Sequence, residues 1–159
     1  SGVIGILATK RSLESEHYQH TSSCYAANVK ILQSEGRGFV ELVESGDCKS
    51  EHALSTIATV VEPMLQQGVD QIVLGCTHYP VLQHKIEKYV PSNVTVVPQG
   101  KIVADSLKDY LCRHPEMDER LSKYGEGRFL TTESVEKFQA SAKIFLNTDK
   151  TIDAHRIIF

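Results

Sequence analysis

One short segment combines a nucleophile, a titratable base and a turn suited to anions: Gly75-Cys76-Thr77-His78-Tyr79-Pro80. It follows an apolar run, residues 71–74, that predicts a buried strand, and it precedes a helix expected to begin near Pro80 and to end near Tyr89. The amides and positive partial charge of a helix start favour the thiolate form of Cys76. His78 can orient that sulfur or exchange a proton, and Thr77 offers a hydroxyl and an amide to a carboxylate.

A structural role is the alternative for Cys76, because cysteine is among the residues most often buried in protein cores. The Cys-x-His spacing recurs at Cys112-Arg113-His114, where no strand precedes it, so the spacing alone is uninformative. The strand, glycine and turn around Cys76 favour the functional interpretation. The other cysteines are interpreted as structural or surface thiols: Cys24, Cys48 and Cys112.

Two further candidates stand at the ends of predicted strands. Glu44 closes an apolar segment, residues 39–43, interpreted as a strand, and its carboxylate faces either a site or solvent. Thr9 follows the strand Val3–Ala8, and Ser12 is predicted to cap the helix that carries Tyr18. Capping is the commoner role for such hydroxyls, although they also bind carboxylates.

The sequence lacks the usual signatures of a bound metal or nucleotide. Its four cysteines include no CxxC pair, so they fit neither a disulfide scaffold nor a structural zinc site. There is no GxGxxG motif and no GKS or GKT phosphate loop. We therefore expect no cofactor and no metal ligands.

Composition indicates a soluble globular protein. The chain has 159 residues, of which 41% are hydrophobic and 23% charged, with a formal net charge of −3. No apolar run approaches the ~18 residues of a membrane span. The slightly negative net charge does not indicate binding to nucleic acid or to an anionic membrane. A cytoplasmic location is the default expectation.

Short apolar strands alternate with amphipathic helices, which predicts an α/β fold built on a parallel sheet. The helix after Ser50 is the clearest, with its apolar residues at helical spacing and Gly68 ending it. Residues 113–126 are expected to be a polar connection, and the last dozen residues a partly ordered segment or a tail. The remaining predicted strands are 29–32, 94–97 and 129–131, and the remaining helices are 101–111 and 133–146.

The segment Leu74–Leu82 resembles the second cysteine motif of the glutamate racemases, in the aspartate/glutamate racemase family. Three other segments resemble family segments in the same order: Gly5–Thr9 with Ser12 and Tyr18, Leu42–Glu44, and Phe129–Thr132 with Glu136–Phe138. The resemblance implies a Rossmann-like or flavodoxin-like three-layer lobe. It also implies cofactor-independent interconversion of L- and D-glutamate by two cysteines, which supplies D-glutamate for peptidoglycan.

The resemblance implies roles residue by residue. Cys76 is the acid/base of the second lobe, His78 assists it, and Glu44 belongs to its supporting shell. Thr77 binds a substrate carboxylate, and Thr9 lies near the substrate pocket. The histidine after Cys-Thr favours glutamate over aspartate as substrate, and the intact enzyme is expected to be a cytoplasmic homodimer.

The family's first lobe, with the other catalytic cysteine, has no counterpart in these residues. Residues 1–97 are therefore expected to form the second lobe, and residues 98–159 a return segment that packs on the first. The start at Ser1-Gly2-Val3 is interpreted as a cut at a lobe boundary. With one cysteine for one face of the substrate, the chain alone is expected not to racemise glutamate. The alternatives are a racemase of another amino acid or a hydantoin, and a non-catalytic α/β binding module.

Overall fold

The computed structural model of the chain describes residues 2–123, 128–146 and 148–158. Contacts between residues divide the chain into two compact units, Ser1–Val103 and Ala104–Phe159. The assignment of residues 1–97 and 98–159 to two lobes of a larger enzyme remains a prediction.

The first unit contains a four-stranded sheet in which all neighbouring strands are parallel. The strand order is β2-β1-β3-β4, so the chain crosses over from one side of β1 to the other between β2 and β3. This order confirms the predicted α/β fold with a parallel sheet. The strands are β1 (Val3–Ala8), β2 (Lys30–Glu35), β3 (Gln71–Leu74) and β4 (Thr95–Pro98).

Within the described residues 2–113, six helices and one 3₁₀ turn accompany this sheet. They are α1 (Lys10–Glu14), α2 (His17–Tyr25), α3 (Phe39–Glu44), α4 (Glu51–Leu65), the 3₁₀ turn Tyr79–Leu82, α5 (Gln83–Tyr89) and α6 (Gln99–Arg113). Helix α6 begins in the first unit and ends in the second.

Helix α4 supplies much of the core beside the sheet. Ile57 and Val61 are fully buried in the same cluster as Leu7 of β1 and Ile72 of β3. Each large aliphatic side chain removed from water contributes roughly 1.5–3 kcal/mol to the free energy of unfolding. As predicted, the helix is capped by Ser50, whose Oγ accepts from the Ala53 N–H at 3.0 Å. The buried side chains of α4 thus share one core with the strands that carry the loops at their ends.

The prediction of a strand over residues 39–43, closed by Glu44, is wrong. These residues form helix α3, which follows Gly38 at φ 79° and ends at Glu44. Its buried residues are Phe39, Leu42 and Val43, the i, i+3, i+4 spacing of a helix. In so short an apolar segment, periodicity alone does not separate a strand from a helix.

The capping role predicted for Ser12 belongs to Thr9. The Thr9 Oγ1 accepts from the Ser12 N–H at 3.4 Å, and α1 begins directly after Thr9. The single helix expected here is two, because Glu16 adopts a left-handed conformation (φ 55°) between α1 and α2. Tyr18 therefore lies in the first turn of α2.

In the second unit, strands β5 (Phe129–Thr131) and β6 (Ala154–Arg156) form a parallel pair. The helices α7 (Pro115–Asp118) and α8 (Val135–Leu146) accompany them. The predicted strand and helix are confirmed, whereas the last dozen residues include an unexpected strand. The predicted connection 113–126 contains α7, and its residues 124–126 lie outside the described residues. Among the described residues, no helix has the length and apolar character to cross a membrane.

Candidate active site

The candidate residues of the first unit gather at the carboxyl ends of two neighbouring strands. Thr9 follows β1, and Gly75 and Cys76 follow β3, which pairs with β1. The Gly75 N–H donates to the Leu7 carbonyl at 2.7 Å, so the two strand ends are tied together. Strand order reverses between β1 and β3, and parallel sheets bind ligands in the crevice at such a point.

Cys76, His78 and Glu44 form a row. The Cys76 Sγ lies 3.8 Å from His78 Nδ1. On the far side of the ring, His78 Nε2 lies 3.4 Å from Glu44 Oε1. Side-chain exposure is 25% for His78 and 65% for Glu44, and Cys76 is half-buried. The structure thus brings together Cys76, the His78 that the resemblance implied as its assistant, and the Glu44 that it implied as part of the supporting shell.

This row can move a proton. In the tautomer that carries its proton on Nε2, the nitrogen nearer Glu44, His78 can accept the proton of the Cys76 thiol at Nδ1, and this transfer would place an imidazolium between a thiolate and a carboxylate. A carboxylate beside one ring nitrogen favours the tautomer that is protonated there, so the other nitrogen is left as a proton acceptor. The arrangement therefore suits a thiolate that takes a proton from a substrate carbon.

Tyr79 joins the elements that carry Glu44 and His78. Its N–H donates to the Cys76 carbonyl at 3.2 Å, and its hydroxyl donates to the Gly36 carbonyl at 3.4 Å. Its ring packs edge-on against Phe39, the first residue of α3, with centroids 5.2 Å apart. A tyrosine hydroxyl is protonated at neutral pH and can donate, and burial raises the pKa of Tyr79 further above its usual value.

Thr9 and Thr77 lie at the same end of the sheet but are held differently. Thr9 is half-buried, and its Oγ1 is 3.0 Å from Ser12 Oγ in addition to capping α1. Thr77 is exposed in the turn directly after Cys76. Their predicted contacts with a substrate remain predictions.

The other cysteines have different surroundings. Cys24 and Cys112 are exposed. Cys48 is half-buried, its Sγ donates to the Leu42 carbonyl at 3.5 Å, and burial raises its pKa. In the second Cys-x-His pair, His114 Nδ1 lies 3.1 Å from Glu116 Oε1. Equal spacing in sequence therefore does not reproduce the surroundings of Cys76.

A metal site is not apparent in the part of the chain that the structure describes. No group of three or more His, Cys, Asp or Glu side chains there is arranged to hold an ion.

Sequence reasoning assigned no function to Tyr79, and it did not place Tyr18 at the site. The Tyr18 hydroxyl donates to the Gly75 carbonyl at 3.3 Å, across 57 positions of sequence. A Cβ at residue 75 would collide with that hydroxyl and lie 2.9 Å from the Leu7 carbonyl oxygen. The glycine directly before Cys76 was the available signal of this close approach.

We expect Glu44→Gln to lower the alkylation rate of Cys76 by at most about fivefold, because a carboxylate so exposed forms a weak ion pair. Peptide mass spectrometry after a timed exposure to iodoacetamide measures this rate. Glu41→Gln is the matched control, since Glu41 is exposed on the same helix. A Cys76 alkylation rate lowered by more than about fiftyfold in Glu44→Gln, or lowered equally in Glu44→Gln and Glu41→Gln, would contradict this account of the His78–Glu44 ion pair.

Fold and site together define a class: a doubly wound α/β domain with a thiol, an imidazole and a carboxylate at the reversal of strand order. A sequence profile described as Asp/Glu/Hydantoin racemase matches residues 1–107. The chain belongs to this family, as the resemblance of its motifs predicted.

Curated relatives are glutamate racemases. The chain is 37% identical over 157 residues to glutamate racemase 1 of Caldanaerobacter subterraneus subsp. tengcongensis, covering 99% of the chain and 58% of the relative. It is 36% identical over 115 residues to the glutamate racemase of Stutzerimonas stutzeri, covering 72% and 44%. The chain thus spans about half the length of the curated relatives it matches.

Solved structures of glutamate racemases share the fold. The enzyme of Francisella tularensis in complex with D-glutamate matches with a TM-score of 0.82 at 20% identity, covering 100% of this chain and 58% of that one. An isoform from Bacillus anthracis matches with a TM-score of 0.85 at 23% identity, covering 99% and 58%. The Thermus thermophilus enzyme in complex with β-chloro-D-alanine matches with 0.76 at 26% identity, covering 97% and 56%.

Proposed function

We propose that this chain provides the Cys76 side of the active site of a cofactor-independent glutamate racemase. The row Cys76–His78–Glu44, with its distances of 3.8 and 3.4 Å, carries the proposal. The names of the curated relatives support glutamate as the substrate.

In the proposed reaction, the Cys76 thiolate takes the α-proton from one face of glutamate and becomes a thiol. The electron pair of the broken C–H bond remains on the α-carbon, and a thiol on the opposite face returns a proton there. His78 holds the proton that Cys76 gives up before the reaction, and Glu44 stabilises the imidazolium. In the reverse direction Cys76 donates the proton, so no external oxidant or cofactor is needed.

The turn residues are proposed to hold the substrate. Thr77 follows Cys76 directly and is exposed, so its hydroxyl and amide are available to a carboxylate. Thr9 stands after the neighbouring strand, on the same edge of the sheet. We further propose a cytoplasmic homodimer whose product, D-glutamate, enters peptidoglycan.

Two helices, each taken by itself, expose apolar side chains that the rest of the proposed enzyme could bury. Helix α6 exposes Ile102, Val103 and Leu107 by 55%, 63% and 56%, and α8 exposes Ile144 and Leu146 by 44% and 53%. Amphipathic helices with exposed apolar faces are typical of surfaces that another part of a protein buries. This supports the interpretation of residues 98–159 as a segment that packs on a first lobe.

A chimera tests the proposed function. The complete chain replaces the matching 58% of the Caldanaerobacter racemase and is joined to the remainder of that enzyme. We expect the chimera to convert L-glutamate to D-glutamate, followed by circular dichroism, and the isolated chain to show no sustained conversion. Turnover by the isolated chain that Cys76→Ala abolishes would overturn the expectation that it serves one face only.

Substrate choice is tested in the same chimera. The family description includes aspartate and hydantoin racemases, so L-aspartate and a 5-substituted hydantoin are the comparison substrates. Faster conversion of either one would replace glutamate in the proposal. A folded chimera that converts none of the three would favour the non-catalytic binding module.

A further inference from the structure

Tyr18 connects the α1–α2 segment to the turn that carries Cys76. Neither α1 nor α2 contains a fully buried residue, and Tyr18 itself is half-buried. The Tyr18 hydroxyl donates to the Gly75 carbonyl at 3.3 Å. That carbonyl belongs to the peptide bond between Gly75 and Cys76, so the contact acts on the backbone immediately before the sulfur-bearing residue.

Gly75 needs such a restraint because glycine has the greatest backbone freedom of any residue. Its N–H is held by the Leu7 carbonyl at 2.7 Å, and its carbonyl is held by Tyr18. A larger residue does not fit here, since a Cβ would collide with the Tyr18 hydroxyl and lie 2.9 Å from the Leu7 carbonyl oxygen. Position 75 therefore requires glycine, and both backbone polar groups of this flexible residue, the N–H and the carbonyl, are held by hydrogen bonds.

We propose that Tyr18 is a positioning residue for Cys76, a role that rests on the proposed function of the Cys76–His78 pair. The Sγ–Nδ1 distance of 3.8 Å is already long, so a small rotation at Gly75 separates sulfur from imidazole. By fixing the Gly75 carbonyl, the Tyr18 hydroxyl keeps Cys76 within reach of His78. Tyr18 acts through the backbone and does not contact the reacting atoms.

Tyr18→Phe tests this role, because it removes the hydroxyl and keeps the ring. In the complete chain we expect iodoacetamide to modify Cys76 about threefold to tenfold more slowly, the range set by the loss of one neutral hydrogen bond. The rate for Cys48, measured in the same sample, is expected to stay constant. The matched control is Tyr25→Phe, because Tyr25 is the last residue of the same helix and is 87% exposed. We expect this variant to leave the alkylation rates of Cys76 and Cys48 unchanged.

Each other outcome overturns the proposal. An unchanged Cys76 rate means that the hydroxyl does not position the sulfur. Equal changes at Cys76 and Cys48, or a variant so unfolded that all four cysteines react alike, mean that Tyr18 only stabilises the fold. Urea unfolding of the same samples identifies the last case.

The chimera separates this inference from the proposed function. There we expect Tyr18→Phe to lower kcat by the same threefold to tenfold and to leave KM unchanged. A chimera that does not racemise, combined with a slowed Cys76 in the isolated chain, rejects the racemase and retains the positioning role. A raised KM with constant kcat rejects the positioning role and retains the racemase.

Discussion

We expect replacement of Cys76 by alanine to lower the proposed glutamate racemisation by the chimera about 10³-fold or more. A positioned general base contributes roughly 10²–10⁴-fold, and alanine leaves no group to take or return the proton on that face. A loss of 10³ corresponds to about 4 kcal/mol of transition-state stabilisation. The initial rate of the circular dichroism change, in both directions of the reaction, measures it.

Cys112→Ala is the matched control for this experiment. Cys112 is exposed on α6 and belongs to the second Cys-x-His pair, so its loss is expected to leave the rate within a factor of two. A Cys76→Ala chimera that keeps a tenth or more of the activity would exclude Cys76 as the acid/base of the proposed reaction.

We expect replacement of Phe39 by alanine to lower the free energy of unfolding by about 3–5 kcal/mol, the range for large aromatic residues truncated in cores. Phe39 is fully buried and packs against the ring of Tyr79. Phe39 is the first residue of α3, which ends at Glu44, and Tyr79 directly follows His78. The contact between the two rings therefore links the segments that carry Glu44 and His78. Urea unfolding of the complete chain measures the loss, and we expect Cys76 alkylation of the folded variant to slow as well.

Tyr25→Ala is the control for this truncation, because it removes an aromatic ring that is 87% exposed. Its effect on the free energy of unfolding is expected to stay within about 0.5 kcal/mol. A Phe39→Ala variant as stable as this control would show that the Phe39–Tyr79 contact does not hold α3 against the turn.

The strands and the cysteine turn were predictable because their signals are local. The apolar run Val3–Ala8 predicted β1 with its observed bounds, and residues 71–74 likewise predicted β3. In a parallel sheet the carboxyl ends of strands share one edge, so a cysteine directly after β3 was expected at a binding edge. Its histidine two residues later needed no long-range contact to be recognised.

Helix α3 and the α1–α2 break were not predictable in the same way. The segment Phe39–Glu44 is apolar at positions compatible with a short buried strand, and its helical state depends on packing against residues distant in sequence. The break at Glu16 places a charged residue at φ 55°, a conformation that no residue-type preference indicated. Both errors fall on segments of nine residues or fewer, where local propensity is a weak guide to structure.

Local sequence was sufficient for the parallel α/β fold, for Cys76 with His78, and for the family, since each depends on residue order within short segments and on the order of those segments along the chain. The partners of these residues come from elsewhere. Glu44 reaches His78 from α3, and Tyr18 reaches Gly75 from α2, across 34 and 57 positions respectively. Such contacts have no local pattern, because they arise only when packing brings the separate elements to the same edge of the sheet.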